Sequence, residues 1–294
     1  MTELIQQIVS GLSLGLVYAG LALALSVIVR GTGVMNFAQG EMATFSAFLA
    51  WALISAGVGF WPALVLVLIG SFLLGGIVER VFIRPVERAP ELSVVTVAIA
   101  LFLLFNGLTG VIWGYLPHRF DSPFGGGAYD VFGVFVTHHQ VGSAAVLLVV
   151  LGATELLFRR TDMGLRLRAA AQNPGSSQLL GIPVGWMLAL GWGVAAVVGG
   201  VAGVMAAPTA GQLDPNTMSP VLLFAFAGAA LGGFESRIGA VVGGLMMGVA
   251  YSLTRRYVPG FEDQLTVGVP FIVILVVLLV RPQGLFGRAS AARA

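Results

Sequence analysis

The sequence contains neither cysteine nor lysine. Without cysteine there is no disulfide, no thiol nucleophile and no thiolate metal site. Charged residues make up only 10% of the chain, against roughly a quarter in a soluble domain. The histidines number three, His118, His138 and His139, and they sit close together in one polar stretch. There is no HExxH, no GxxxxGK[ST] and no cluster of Asp, Glu and His inside the apolar runs, which argues against a metallohydrolase or a nucleotide-binding site. An intramembrane hydrolase needs a nucleophile with a base in reach, and no such pair stands out. An ion-coupled carrier ordinarily needs carboxylates deep in its bundle; Glu41 and Glu155 are the candidates, both near the ends of apolar runs. The formal net charge of +2 gives no basis for a nucleic-acid partner. No cofactor and no metal are expected.

What the chain has instead is apolar length. Of its 294 residues 57% are hydrophobic, and mean hydropathy is +0.96. Apolar segments recur at 7–29, 41–57, 61–79, 92–114, 139–158, 184–206, 217–233, 237–254 and 265–280. Runs of this length predict an all-α polytopic membrane protein: one domain over 1–294, a bundle of about 8–9 transmembrane helices with broken or re-entrant glycine-rich segments. The segments at 217–233 and 237–254 read either as two crossings or as one re-entrant hairpin. The start, MTELIQQ, lacks the basic region of a cleaved signal peptide, so the first span is expected to remain.

Arginines orient the bundle, because basic residues favour cytoplasmic loops. With the N-terminus outside and the C-terminus inside, Arg30, Arg80, Arg84, Arg88, Arg159, Arg160, Arg166, Arg168, Arg237, Arg281, Arg288 and Arg293 face the cytoplasm, and Arg119, Arg255 and Arg256 face out. Glu262 and Asp263 are expected to offset the last pair. The loop at 115–138 is then external and the segment at 159–183 cytoplasmic.

Glycine is the other surplus. There are 41, about twice the usual share, many in small-xxx-small pairs: Gly11/Gly15, Gly199/Gly203, Gly228/Gly232, Gly239/Gly243 and Gly244/Gly248. In lipid, helices associate by close backbone packing. The pairs therefore serve packing within one subunit, a subunit interface or a moving contact along a pathway; the pattern alone does not separate these.

Two interruptions carry polar groups at membrane depth. The first, Arg30 to Glu41, sets Asn36, Gln39 and Glu41 close to the hydrocarbon, where polar groups face protein or a water-filled cavity and where transport paths have discontinuous helices. An interfacial turn with Glu41 at a helix N-terminus fits the same residues. The second, Leu231 to Gly239, has Gly232 and Gly233 followed by Glu235 and Arg237, a pair expected to neutralise locally. Asn36, Gln39, Gly40, Glu41, Gly232, Gly233 and Glu235 are the candidate pathway or gating residues.

The stretch at 159–183 holds four of the fifteen basic residues in its first ten positions. Asp162 is the expected N-cap of a helix over 164–172. Asn173, Pro174 and then Gly181 and Pro183 are start and stop signals that predict a second helix over 174–180, roughly 10 Å long. It presents Leu179 and Leu180 as apolar knobs. A capped helix held below the membrane by two spans can be moved as a body; a loop lying on anionic headgroups is the competing reading. Arg166, Arg168, Pro174, Ser176, Leu179, Leu180 and Gly181 are the candidate contacts to a cytoplasmic partner.

Three motifs together resemble a known family. Asn36-Phe37-Ala38-Gln39-Gly40-Glu41 resembles the Asn-Phe-Ala-x-Gly-[Glu/Asp] signature of the inner-membrane permeases of branched-chain amino-acid ABC importers, the LivH type, with Gln39 where the family commonly has His. The glycine-rich stretch from Phe224 to Gly244 resembles its C-terminal signature, and Gly164 to Gly181 its ATPase-contacting loop. The ordered set spans about residues 10–285. The resemblance implies a second homologous permease, two cytoplasmic ATP-binding subunits and a periplasmic or extracellular substrate-binding protein. It also implies branched-chain or other hydrophobic amino acids as solute and location in the inner (plasma) membrane; urea and short-amide permeases share the motifs. An ion-coupled carrier or channel acting alone, an intramembrane enzyme and a structural subunit are the alternatives.

Overall fold

The structure, a computed structural model, describes residues 2–87, 89–259 and 267–287. Arg88, Glu262, Asp263, Arg288 and Arg293, which enter the charge argument above, lie outside the described residues.

Eleven α-helices dominate the described chain: α1 (Thr2–Thr32), α2 (Gln39–Ser55), α3 (Phe60–Val78), α4 (Glu91–Trp113), α5 (His138–Arg160), α6 (Asp162–Gln172), α7 (Pro174–Leu179), α8 (Val184–Ala210), α9 (Ser219–Gly232), α10 (Arg237–Tyr257) and α11 (Gly268–Val280). A π-helical turn (Glu79–Ile83) and a 3₁₀ turn (Arg84–Val86) prolong α3. Among the described residues, six helices are long and apolar enough to cross a membrane. The loop at 115–138 is not wholly irregular. It contains an antiparallel hairpin, β1 (Ala128–Val131) paired with β2 (Val134–Thr137). The tip residue Phe132 has φ 55° beside Gly133 at φ 82°, a turn that follows from Asp130-Val-Phe-Gly133 chemistry and that hydropathy alone does not signal.

The helices pair in a symmetric way. α1 packs along α10 as α8 packs along α3; α2 lies on α8 as α9 lies on α1; α2 touches α4 as α9 touches α11; and α1 meets α8 at the centre. The blocks α1–α4 and α8–α11 are thus two copies of one arrangement, running in opposite directions, an inverted repeat of the kind that builds transporter bundles. Helices α5, α6 and α7 link them.

Two ends of the bundle follow. At the arginine end, Arg30, Glu155, Arg159, Glu235 and Arg237 line one cavity, while Arg80 and Arg84 share a cleft with the α7–α8 turn. At the hairpin end, Gln6 Nε2 donates to the Phe135 carbonyl at 2.8 Å, Gln7 accepts from Ser252 Oγ at 2.8 Å, and Arg256 pairs with Glu3.

Glycine makes the long contacts possible. A Cβ on Gly11 would lie 2.7 Å from the Val249 Cα, and one on Gly248 would fall on the backbone of Gly11 and Gly15. Gly228 and Gly232 meet Gly243, Gly244 and Gly239 backbone to backbone in the same way, and Gly203 meets Ala43. These pairs pack α1, α10 and α9, and α8 and α2, within one subunit.

Candidate functional site

Helices α2 and α9 are half-helices. At 1.5 Å per residue they are about 26 Å and about 21 Å long, short of the ~30 Å hydrocarbon thickness. The first turn of α2 sits against the middle of α8: Gln39 Nε2 donates to the Ala195 carbonyl at 3.1 Å, about 16 Å along α8 from its start. From there α2 runs to the hairpin end, where Trp51 packs on the His118 ring at 4.2 Å. α9 starts beside the same point and runs to the arginine end, where Ser26 Oγ donates to the Phe234 carbonyl at 2.8 Å. The two helix N-termini meet at mid-depth.

Glu41 marks the meeting. It is fully buried, and Ser219 Oγ, at the first position of α9, donates to its Oε1 at 2.7 Å. Asn106 Nδ2 of α4 donates to Oε2 at 3.1 Å and lies 3.1 Å from the Pro215 carbonyl and 3.0 Å from Asn216 Oδ1. No ion pair to Glu41 occurs among the described residues. Two positive helix ends and two neutral donors compensate the carboxylate instead. Asn36 and Gln39 brace the break from inside: Asn36 Oδ1 accepts from Ala38 N at 3.0 Å, and its Nδ2 donates to Gln39 Oε1 at 3.0 Å. Gly40 lies under Leu222, with 3.0 Å between a would-be Cβ and the Leu222 Cβ. The first-break residues therefore come together, and each is used to hold the half-helix in place.

The counterpart of this break is 211–218, between α8 and α9, rather than 231–239. Gly232 and Gly233 (φ 97°) form the tight turn from α9 to α10, at the arginine end, and Glu235 lines the cavity there. Asn106, Asn216 and Ser219 did not stand out in the sequence. A lone Asn inside the apolar run of α4 was the available signal, since polar residues at membrane depth are expensive. Beside the junction, an almost wholly apolar cavity of about 770 Å³ lies between α4, α9 and α11; Phe102, Leu223, Phe226, Phe271 and Ile274 form its walls, and Asn216 and Ser219 border it.

The segment at 159–183 folds into α6 and α7. The N-cap of α6 is Thr161, not Asp162, and the helix starts two residues earlier than expected: Thr161 Oγ1 accepts from Gly164 N at 3.0 Å while donating to the Leu157 carbonyl at 2.6 Å. Asp162 instead occupies the first helical turn, where its charge suits the helix dipole. A side chain on Gly164 would strike the Leu157 carbonyl, so α5 and α6 form one closed elbow. Leu167 and Ala170 of α6 are buried. Arg166 is exposed; Arg168 lines a cavity with Arg30 and Arg237. Asn173 caps α7 through Ser176 N at 3.0 Å, Pro174 opens it, and Gly181 at φ 77° ends the turn after it. Leu179 and Leu180 are 90% and 81% exposed.

Arg237 does not pair with Glu235. Its Nε donates to Glu155 Oε2 at 2.9 Å, its guanidinium stacks over Phe158 at 4.7 Å, and Glu155 also pairs with Arg159. Glu235 is exposed and carries a sequence-local acid beside a base whose fork is turned toward α5.

An inverted repeat of membrane-spanning helices with half-helices meeting at a polar junction at mid-depth is the architecture of a membrane transport protein. Residues 7–278 match the family described as branched-chain amino acid transport system / permease component, and the chain belongs to that family. It is 29% identical to the high-affinity branched-chain amino acid transport system permease protein LivH of Salmonella typhimurium, over 97% of this chain and 96% of that one. It is also 29% identical to the permease protein BraD of Pseudomonas aeruginosa, with the same coverage. A probable LivH of Methanocaldococcus jannaschii is 28% identical over 91% of this chain and 87% of its own length. Among solved structures, PsaBC from Streptococcus pneumoniae in complex with Fab matches with a TM-score of 0.48 and 14% identity, over 93% of this chain and 91% of that one.

Proposed function

We propose that this chain is the permease subunit of an ATP-binding-cassette importer and forms half of the path that carries branched-chain or other hydrophobic amino acids across the inner membrane. The observation that carries the reading is α7: a capped helix of six residues joined to a rigid elbow and bearing two leucines almost wholly exposed to water. Exposed apolar knobs on a capped helix suit the groove of a partner protein. The chain offers no nucleotide motif, so hydrolysis belongs to two cytoplasmic ATP-binding subunits, and this chain is not itself an enzyme. A second homologous permease and a periplasmic or extracellular substrate-binding protein complete the assembly.

In this reading the hairpin end faces outward and the arginine end the cytoplasm, with the N-terminus outside and the C-terminus inside. Nine apolar helices make the bundle over 1–294, α2 and α9 being the helical halves of two interrupted crossings. Arg166, Arg168, Pro174, Ser176 and Gly181 shape the coupling surface, and Leu179 and Leu180 are its contacts. The half-path runs past the junction of Asn36, Gln39, Gly40 and Glu41 with Asn106, Asn216 and Ser219, and the turn at Gly232, Gly233 and Glu235 gates its cytoplasmic end. The exposed Asn216 beside apolar helices supports this: a polar amide facing lipid is costly, whereas one facing a water-filled path is not. The apolar walls of the adjoining cavity favour an aliphatic side chain over urea.

Leu179→Asp with Leu180→Asp tests the assignment in the reconstituted complex. Uptake and solute-stimulated ATP hydrolysis are expected to be lost. Their survival at wild-type level would show that α7 is not where the motor acts.

A further inference from the structure

Beside α7 lies an open cleft of about 370 Å³ lined by Arg80, Arg84, Gln178, Gly181 and Trp186 among others. It has one sign of charge: two guanidiniums line it and no acidic residue does. Neither arginine makes an ion pair among the described residues. Arg80 is oriented by its stack over Trp186, 4.2 Å from the ring centre, yet its Nη1 is buried without an acceptor. Its neighbour Glu79 does not supply one; that carboxyl is 1% exposed and its own Oε2 has no donor. Both arginines come from the π and 3₁₀ turns that prolong α3, a local distortion of the kind that collects at functional sites. Gly185 makes room for Arg84, whose guanidinium would collide with any side chain there.

A buried guanidinium N–H with no acceptor is unfavourable until an acceptor arrives. Two arginine forks match a carboxylate in bidentate geometry. The outer wall of the cleft is Gln178 and Gly181, which flank the docking leucines of α7. Whatever seats on Leu179 and Leu180 therefore covers the cleft.

We propose that this cleft is a socket for an acidic side chain, an Asp or Glu, of the cytoplasmic ATP-binding subunit, set beside the apolar groove that takes Leu179 and Leu180. The proposal rests on the docking reading of α7 above. The partner surface that fits is thus an apolar depression flanked by a carboxylate, and Arg80 and Arg84 give the docking its register and its dependence on charge.

The test is titration of the purified ATP-binding subunit onto the complete permease pair in nanodiscs of zwitterionic lipid, and again with anionic lipid added. Arg84→Gln is the informative variant, because Arg84 is exposed and the change keeps size and polarity; Arg84→Glu reverses the charge. Affinity is expected to fall about tenfold or more for Arg84→Gln and further for Arg84→Glu, in both lipids, and the wild-type affinity is expected to weaken with salt more than that of Arg84→Gln. Wild-type affinity in both Arg84 variants overturns the socket. A deficit seen only with anionic lipid also overturns it and assigns the cleft to a phosphate headgroup. Leu179→Asp with Leu180→Asp, run alongside, separates the two readings: if it releases the subunit while the Arg84 variants do not, docking on α7 stands and the socket fails; if it releases nothing, the docking reading fails.

Discussion

At the scale of single residues, Glu41 is the most demanding position in the chain. Its two oxygens take hydrogen bonds from Ser219 and Asn106, groups on two other helices, and it is sealed from solvent. Removing the carboxylate leaves the Ser219 hydroxyl without its acceptor, while Asn106 keeps the Pro215 carbonyl and Asn216 Oδ1; a buried orphan costs about 1–3 kcal/mol. Glu41→Gln keeps one acceptor oxygen and sets an amide N–H against the second donor, so it is expected to lower the thermal midpoint of the purified permease and to leave partial uptake. Glu41→Leu removes both acceptors and is expected to prevent a stable fold. Ser219→Ala removes one donor while leaving Asn106 in place, and is expected to be milder than either. Thermal unfolding in detergent ranks the three; an order other than Ser219→Ala, Glu41→Gln, Glu41→Leu from mildest to worst would mean that Glu41 is not held as described. Glycine acts at the same scale. Gly248→Leu puts a side chain into the backbone of α1, a clash that rotamer changes do not relieve, and is expected to abolish accumulation of the folded chain in the membrane.

At the scale of elements, the segment at 159–183 joins the bundle through the packing of α6 on α8 and α1 and, at the end of α5, through one ion pair. The α5–α6 elbow is closed by Thr161 and Gly164, so a push on α7 reaches the end of α5, and there Glu155 holds Arg237 at the start of α10. Arg237 is 9% exposed and Glu155 27%, so the pair is partly desolvated; loss of Glu155 leaves Arg237 without its acid, while loss of Arg237 leaves Glu155 with Arg159 alone. Glu155→Gln and Arg237→Gln are each expected to destabilise by about 1–3 kcal/mol, and the double variant by less than their sum, a coupling typical of residues in contact. Thermal unfolding of the four proteins completes the cycle, and additive losses would mean that the pair carries no coupling. Much at this scale was legible beforehand. The nine apolar runs became nine helices because hydrophobic length is a signal that tertiary packing does not override in a membrane. Asn173-Pro174 and Gly181 marked α7 because cap chemistry is local. What stayed hidden depended on partners distant in sequence: Thr161 outcompetes Asp162 as the cap because its hydroxyl also reaches Leu157, and Arg237 passes over the adjacent Glu235 for Glu155, 82 residues away. The hairpin over 128–137 escaped notice because a four-residue strand in a polar loop has no hydropathy signature.

At the scale of the whole molecule, the inverted repeat and the placement of charge make a joint statement about orientation. Arg30, Arg80, Arg84, Arg159, Arg168 and Arg237 gather around the cavities of one end, although they come from α1, the extension of α3, α5, α6 and α10. Arg119 and Arg256 lie at the other end, each paired with an acid, Asp121 and Glu3. The expected compensation of Arg255 and Arg256 by Glu262 and Asp263 lies outside the described residues; Glu3 pairs with Arg256. Six gathered arginines against Arg119, Arg255 and Arg256 is the asymmetry behind the proposal that the arginine end faces the cytoplasm. The absence of cysteine makes this directly measurable, because any thiol introduced is the only one in the chain. Ser176→Cys sits on the exposed surface of α7 and Gly126→Cys in the exposed loop before β1, both remote from the mid-depth junction, so each substitution is expected to leave the fold and membrane insertion intact. A membrane-impermeant maleimide added to intact cells whose outer membrane has been opened is expected to label Gly126→Cys fully and Ser176→Cys not at all. In inverted vesicles the pattern is expected to exchange. Labelling of Ser176→Cys from the outside would reverse the bundle, and with it the side on which α7 could meet an ATP-driven partner.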